Sequence, residues 1–196
     1  MLIRKRSKPI KKSKKIKTRV HRNIKSITSI LVIIIIILTA GIYVLATTDK
    51  SDLKDGEDFV FTSIDGNEIH LSSYRGKIVI LDMWATWCGP CQLQMAELKK
   101  VYEHYSRENL EIFSLDVEAS ETLQQIQDFK EAFKDQRGIE LNWIFGKDDG
   151  NIWQKYKTSK GGIPTLCIFD QKGKLYFQEA GVKDAAMLTQ KIDNLL

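Results

Sequence analysis

Residues 26–48, from Ser26 to Thr48, carry no charge, and this run decides first what the remainder of the chain can be. Its 23 residues, with a continuous apolar centre from Ile30 to Leu38, exceed the roughly 20 that a helix needs to cross a bilayer's hydrocarbon core. In lipid every backbone group must bond within its own segment, so a helix is expected despite the β-branched composition. Met1 to Lys25 holds 12 Lys and Arg and no Asp or Glu. Basic residues before the span and acidic ones after it place the tail in the cytoplasm and everything beyond Thr48 outside it. A cleaved signal peptide competes with this reading, since Val44-Leu45-Ala46 offers plausible cleavage positions. However, the basic region is about twice the usual length and the apolar stretch outruns the about 7–15 residues of a signal core, so a retained single-pass anchor is preferred.

The formal net charge of +5 invites a nucleic-acid reading, but its distribution opposes one. Beyond Lys25 the chain has 18 basic against 25 acidic residues, a balance of −7. A nucleic-acid domain needs its basic residues on a folded face, not in a tail, so no nucleic-acid partner is expected. The tail is read as a solvated flank to the lipid bilayer. The resulting organisation is a basic cytoplasmic tail over 1–25, a transmembrane anchor over 26–48, a charged linker over 49–58 and one exported domain over 59–196.

Within that domain, Phe59-Val60-Phe61 and Glu68-Ile69-His70-Leu71 flank Asp65-Gly66-Asn67 as a hairpin. Ile78 to Leu81 is a continuous apolar run, as in a central parallel strand covered on both faces. Cys91 to Tyr105 is expected to be a helix with Leu98, Val101 and Tyr105 on its apolar stripe. Leu110 to Val117 is a strand, and Ser120 a candidate cap for a helix carrying Leu123, Ile126, Phe129 and Phe133. Leu141 to Phe145 is a short strand, followed by a brief helix capped by Asn151. Thr165 to Phe169 and Leu175 to Glu179 form a hairpin, and Asp184 caps a last helix with Leu188, Ile192 and Leu195. Strands alternating with helices, then a hairpin and a helix, imply an α/β sheet of mixed direction.

Three cysteines are too few for a disulfide scaffold. Two of them, Cys88 and Cys91, bracket Gly89-Pro90 where a buried strand meets a helix. A cysteine at a helix N-terminus meets unpaired N–H groups and the positive end of the dipole, which favour thiolate. A second cysteine three residues on lies one turn along the same face. Cys88 would then attack a substrate disulfide and Cys91 would resolve the mixed disulfide. A zinc site needs further ligands, and His21, His70 and His104 are not spaced as partners of the pair, so no metal is expected. A static structural disulfide would explain the cysteines but not their placement between strand and helix.

Leu81-Asp82-Met83-Trp84-Ala85-Thr86-Trp87-Cys88-Gly89-Pro90-Cys91 resembles the active-site strand and helix of thioredoxins. Asp65-Gly66, Leu71-Ser72-Ser73-Tyr74-Arg75-Gly76-Lys77, Gly161-Gly162-Ile163-Pro164-Thr165 and Asp170-Gln171-Lys172-Gly173-Lys174 are similar to the membrane-anchored thioredoxin-like proteins of the TlpA/ResA type. The resemblance implies a thioredoxin-like fold with an N-terminal β-hairpin and a helix–strand insertion between Ser120 and Phe145. It implies that Pro164 follows a cis bond and faces the active site, with Ile163 offering backbone bonds to a bound cysteine substrate. Trp87, Gly89 and Pro90 complete the substrate-binding set, and Asp82 matches a buried acid that relays a proton to or from Cys91. Ala96 stands where these families commonly carry a helix-kinking proline, so a straighter helix is expected. Trp84 is expected in the core, and Cys167 as a small buried residue.

The expectation is a membrane-anchored, extracytoplasmic protein disulfide reductase with no cofactor beyond the Cys88–Cys91 disulfide. Its partners would be exported proteins with disulfides and a membrane electron donor or acceptor, and maturation of c-type cytochromes is one family role. Two alternatives stay open: a copper chaperone using the two cysteines, and a peroxiredoxin-like peroxidase, a group that shares the N-terminal hairpin.

Overall fold

A computed structural model describes residues 57–196, so the tail, the apolar span at 26–48 and most of the linker lie outside the described residues. Among the described residues no helix is long and apolar enough to cross a membrane. The described residues open with strands β1 (Val60–Ser63) and β2 (Glu68–His70), followed by a 3₁₀ turn at Leu71–Tyr74. Strand β3 (Ile78–Trp84) leads into helix α1 (Gly89–His104), β4 (Leu110–Asp116) into α2 (Leu123–Arg137), and β5 (Ile144–Lys147) into α3 (Asn151–Tyr156). The hairpin β6 (Thr165–Phe169) and β7 (Leu175–Ala180) precedes the final helix α4 (Ala185–Asp193).

All seven strands join one sheet in the order β2-β1-β5-β4-β3-β6-β7. The central β3, β4 and β5 run parallel, whereas β1 and β6 pair antiparallel at their flanks. Every residue of β3 and β4 is buried, as the unbroken apolar run at Ile78 to Leu81 requires of a strand covered on both faces. Alternation along β3 then sorts its side chains. Ile78, Ile80 and Trp84 meet Met95, Leu98 and Val101 of α1, Ile126 of α2 and Leu188 and Ile192 of α4. Val79, Leu81 and Met83 meet Phe59, Phe61, Leu71 and the α3 residues Ile152 and Tyr156. Fully burying one such aliphatic side chain is worth about 1.5–3 kcal/mol, so the stripe on α1 clamps that helix to the sheet beneath the cysteines.

Local chemistry moved several boundaries. Helix α1 starts at Gly89, earlier than expected, with Cys88 as its N-cap and Pro90 in its first turn, where a missing N–H costs nothing. The cap of α2 is Thr122, not Ser120: its hydroxyl accepts from the Gln125 N–H while the Gln125 side chain accepts from the Thr122 N–H. Ser120 instead bonds to the carboxylate of Glu118. Likewise Asn151 is inside α3, preceded by Gly150, and the Asp148 carboxylate accepts from the Ile152 and Trp153 N–H groups. Strand β5 starts at Ile144, later than expected, and Gly146 within it is a packing requirement. A Cβ there would lie 2.5 Å from the Phe61 ring and 2.6 Å from the Thr62 carbonyl oxygen. Asp58, placed in the linker by composition, is docked on the domain: its carboxylate accepts from the N–H and hydroxyl of Ser72, each at 2.7 Å. The hairpins, the parallel centre and the capping of α4 by Asp184 stand as expected.

Candidate active site

The site grows out of the C-terminal end of β3. After Trp84 the chain turns through Ala85–Cys88, closed by a bond from the Cys88 N–H to the Ala85 carbonyl at 3.1 Å, and enters α1. Cys88 and Cys91 are joined by a disulfide, with their Cα atoms 5.2 Å apart. The Cys91 N–H points at the Cys88 sulfur at 3.2 Å, so the sulfur occupies the place of an N-cap acceptor. In the reduced protein the same N–H group and the helix dipole stabilise negative charge on that atom. Cys88 is 3% exposed and Cys91 is fully buried, which leaves Cys88 as the outer sulfur.

Opposite this sulfur lies the loop before β6. The Ile163–Pro164 peptide is cis, and the Ile163 carbonyl oxygen lies 3.8 Å from the Cys88 sulfur. Pro164 is buried, and its carbonyl accepts from the Gly181 N–H at 2.7 Å. The Thr165 hydroxyl ties back to the Gly162 carbonyl. The structure therefore brings Cys88 and Ile163 together and seats Pro164 beside them. Gly89 and Pro90 are exposed on the first turn of α1, and Trp87 is 66% exposed next to them. Trp84, by contrast, is buried against Phe129 and Phe145.

Asp82 sits on the face of β3 that looks toward α1, fully buried among apolar residues. One carboxyl oxygen accepts from the Ser114 hydroxyl at 3.0 Å, and that hydroxyl accepts in turn from the Trp143 indole at 2.9 Å. The other oxygen has no partner among the described residues. Burial pushes the Asp82 carboxyl up to about 7, against a smaller downward pull from Ser114. A group in that range can hold or release a proton near neutral pH. Cys167 lies buried in β6 on the opposite face of the sheet, and burial pushes its thiol up to about 12.

Three supporting residues were not singled out from the sequence. Ser114 is the hydroxyl residue of β4, and its place beside Ile112, Phe113 and Leu115 was the available signal. Gln94 is fully buried on α1 and bonds both the N–H and the carbonyl of Lys183, fixing the loop before α4. Glu121 bonds Thr86 across 35 residues of sequence, which no local pattern announces.

A model of the AhpC/TSA family matches residues 54–178. The chain is 31% identical over 137 residues to the thiol–disulfide oxidoreductase ResA of Geobacillus kaustophilus, covering 68% of this chain and 74% of that protein. It is 26% identical over 150 residues to the protein of the same name from Bacillus subtilis, covering 75% and 79%. A thioredoxin-family thiol:disulfide interchange protein from Chlorobium tepidum superposes with a TM-score of 0.61 at 18% identity, over 72% of this chain and 94% of that one. That last likeness shows the fold, which is thioredoxin-like. With a matched family model over more than half its length and these relatives, the chain belongs to the AhpC/TSA family and, within it, to the ResA-type thiol–disulfide oxidoreductases.

Proposed function

We propose that this protein is a membrane-anchored thiol–disulfide oxidoreductase that reduces disulfides of exported proteins through Cys88 and Cys91. The observation that carries the reading is the Cys88 sulfur at the N-cap of α1, accepting the Cys91 N–H beside the cis-proline loop. In the reduced enzyme the Cys88 thiolate attacks one sulfur of a substrate disulfide. The substrate S–S bond breaks, one substrate thiolate leaves and takes up a proton, and a mixed disulfide forms. Cys91 then loses its proton to the Asp82 carboxylate and attacks the Cys88 sulfur. The second substrate thiolate leaves protonated, and the enzyme is left with the Cys88–Cys91 disulfide. Two electrons and two protons have passed to the substrate, and a membrane dithiol partner must return them.

Trp87, Gly89, Pro90, Ile163 and Pro164 surround the outer sulfur and form the face that receives the substrate chain. The Gly-Pro pair between the cysteines resembles that of thioredoxin and favours the reducing direction. The uncharged run at 26–48 supports an anchor that holds the domain outside the cytoplasm. The maturation of c-type cytochromes is a proposed setting for this activity, supported by the resemblance to the TlpA/ResA-type proteins.

The test is the reduction potential of the pair, read from tryptophan fluorescence during equilibration with thiol–disulfide buffers. A value near roughly −270 mV, as for thioredoxin, supports a reductant, whereas one near about −120 mV marks a disulfide donor. Absence of any reversible couple would overturn the exchange reading and bring metal binding forward. A Cys91→Ser variant should accumulate a mixed disulfide with a substrate protein, and a Cys88→Ser variant should not.

A further inference from the structure

The turn that presents Cys88 is held from outside the two elements that form it. Thr86, two residues before the nucleophile, donates its N–H to one carboxyl oxygen of Glu121 at 3.1 Å and its hydroxyl to the other at 2.5 Å. Glu121 lies in the loop between β4 and α2 and is 7% exposed. A buried carboxylate gripping both donors of one residue fixes that residue's position and orientation, because each oxygen takes a charge-assisted bond.

The grip is itself braced. Asp116, at the end of β4, accepts from the Glu118 N–H at 2.8 Å through one oxygen, and its other buried oxygen meets no donor. The Asp116 carboxyl interacts with that of Glu121. Burial, then the hydrogen bond with Glu121, pushes the Asp116 carboxyl upward. For Glu121, burial pulls upward but is outweighed by the bonds from Asp116 and Thr86, which bring it down. The two shifts run in opposite directions, so the negative charge is favoured on Glu121 rather than on Asp116. The Lys147 ammonium, from β5, binds the carbonyls of Glu118, Ala119 and Glu121 and closes the loop around this pair. A backbone bond from the Val117 N–H to the Trp84 carbonyl at 2.9 Å ties the same loop to the end of β3.

We infer that Glu121 is a positioning residue for thiol–disulfide exchange: through Thr86 it holds the Ala85–Cys88 turn so that the Cys88 sulfur meets its target in line. It touches neither the substrate nor the reacting sulfurs. The inference rests on exchange at Cys88 and is independent of the direction in which electrons flow.

The test uses the whole chain, reduced, with Cys91→Ser leaving Cys88 as the accessible thiol. The alkylation rate with iodoacetamide is followed against pH, and the rate with 5,5′-dithiobis(2-nitrobenzoate) is measured alongside unfolding. Thr86→Val keeps the N–H and removes the hydroxyl, Thr86→Ser restores the hydroxyl, and Glu121→Gln keeps the shape and removes the charge. Small displacements of a reacting atom are costly in rate, so Thr86→Val and Glu121→Gln should each slow the limiting disulfide reaction about tenfold. Thr86→Ser should recover most of that loss. The double variant should be no slower than either single one, since both break one contact. Unchanged rates and pH profiles with only a lowered unfolding midpoint would overturn the inference, as would additive losses in the double variant. Failure of the wild-type pair to cycle would sink the function proposed above, but the alkylation profiles would still decide what Glu121 does.

Discussion

Replacing Asp82 by Asn isolates the cost of keeping a carboxyl in the core. Burial holds this group at about 7 in the folded protein against an ordinary value of 3.8. With the folded value the higher one, the native state keeps its proton at pH values where the unfolded chain has lost it. Stability from this group is therefore complete below about pH 4 and drains away as pH rises through about 7. A shift of about three units at 1.36 kcal/mol each makes the loss about 4 kcal/mol by pH 8. Asn cannot ionise, so Asp82→Asn removes the pH-dependent part. Its amide introduces N–H donors where one carboxyl oxygen had no partner, at a cost of about 1–3 kcal/mol that does not vary with pH. Urea unfolding of the oxidised proteins in detergent at pH 4 and pH 8 separates the two contributions. The variant should be the less stable at pH 4 and the more stable at pH 8, and the swing between them should be about 4 kcal/mol. Titration of Asp116 is common to both proteins and cancels in the comparison. A stability difference that is the same at both pH values would refute the argument, because Asp82 would then be ionised or neutral in both states alike.

Cys167, buried with its thiol pushed up to about 12, should resist iodoacetamide at pH 8 in the native protein and react once urea unfolds it, as mass spectrometry would show. Gln94→Ala strips both bonds from the half-buried Lys183 backbone and should destabilise the domain by about 1–3 kcal/mol in urea unfolding, since it removes two hydrogen bonds at once. Gly146→Ala should cost about 1–3 kcal/mol by overpacking against Phe61 and Thr62, measured in the same way.

The parts of the fold legible in the sequence are those whose signal is local. The unbroken apolar run at Ile78 announced a strand buried on both faces, and β3 is buried along its whole length. The Cys-Gly-Pro-Cys segment was legible because two side chains one helical turn apart fix their own geometry. Pro164 was legible only through resemblance, since nothing in a lone Ile-Pro dipeptide says that its peptide is cis. Capping was misread wherever two residues competed. Ser120 and Thr122 are both good caps alone, and the reciprocal bond from Gln125 decides between them. Glu121 was invisible because its partner is on another strand's loop, and its neighbours Glu118 and Ser120 give it the look of an exposed acidic turn.

Asp82 and Glu121 are both buried acids, but they face different problems, and the difference argues for different roles. Glu121 is drawn toward its anionic form by Asp116 and by the two donors of Thr86, which suits it to holding a backbone turn. Asp82 has a single donor, one oxygen without a partner and no basic neighbour to settle its charge. A core selected for stability alone would replace it with an apolar residue of similar size, because an ionisable group so poorly satisfied lowers stability across the neutral range. Its position on the face of β3 that looks toward α1 and its half-settled protonation are what a proton acceptor for Cys91 requires. The stability cost at neutral pH and the proposed relay are then two consequences of one buried, half-satisfied carboxyl.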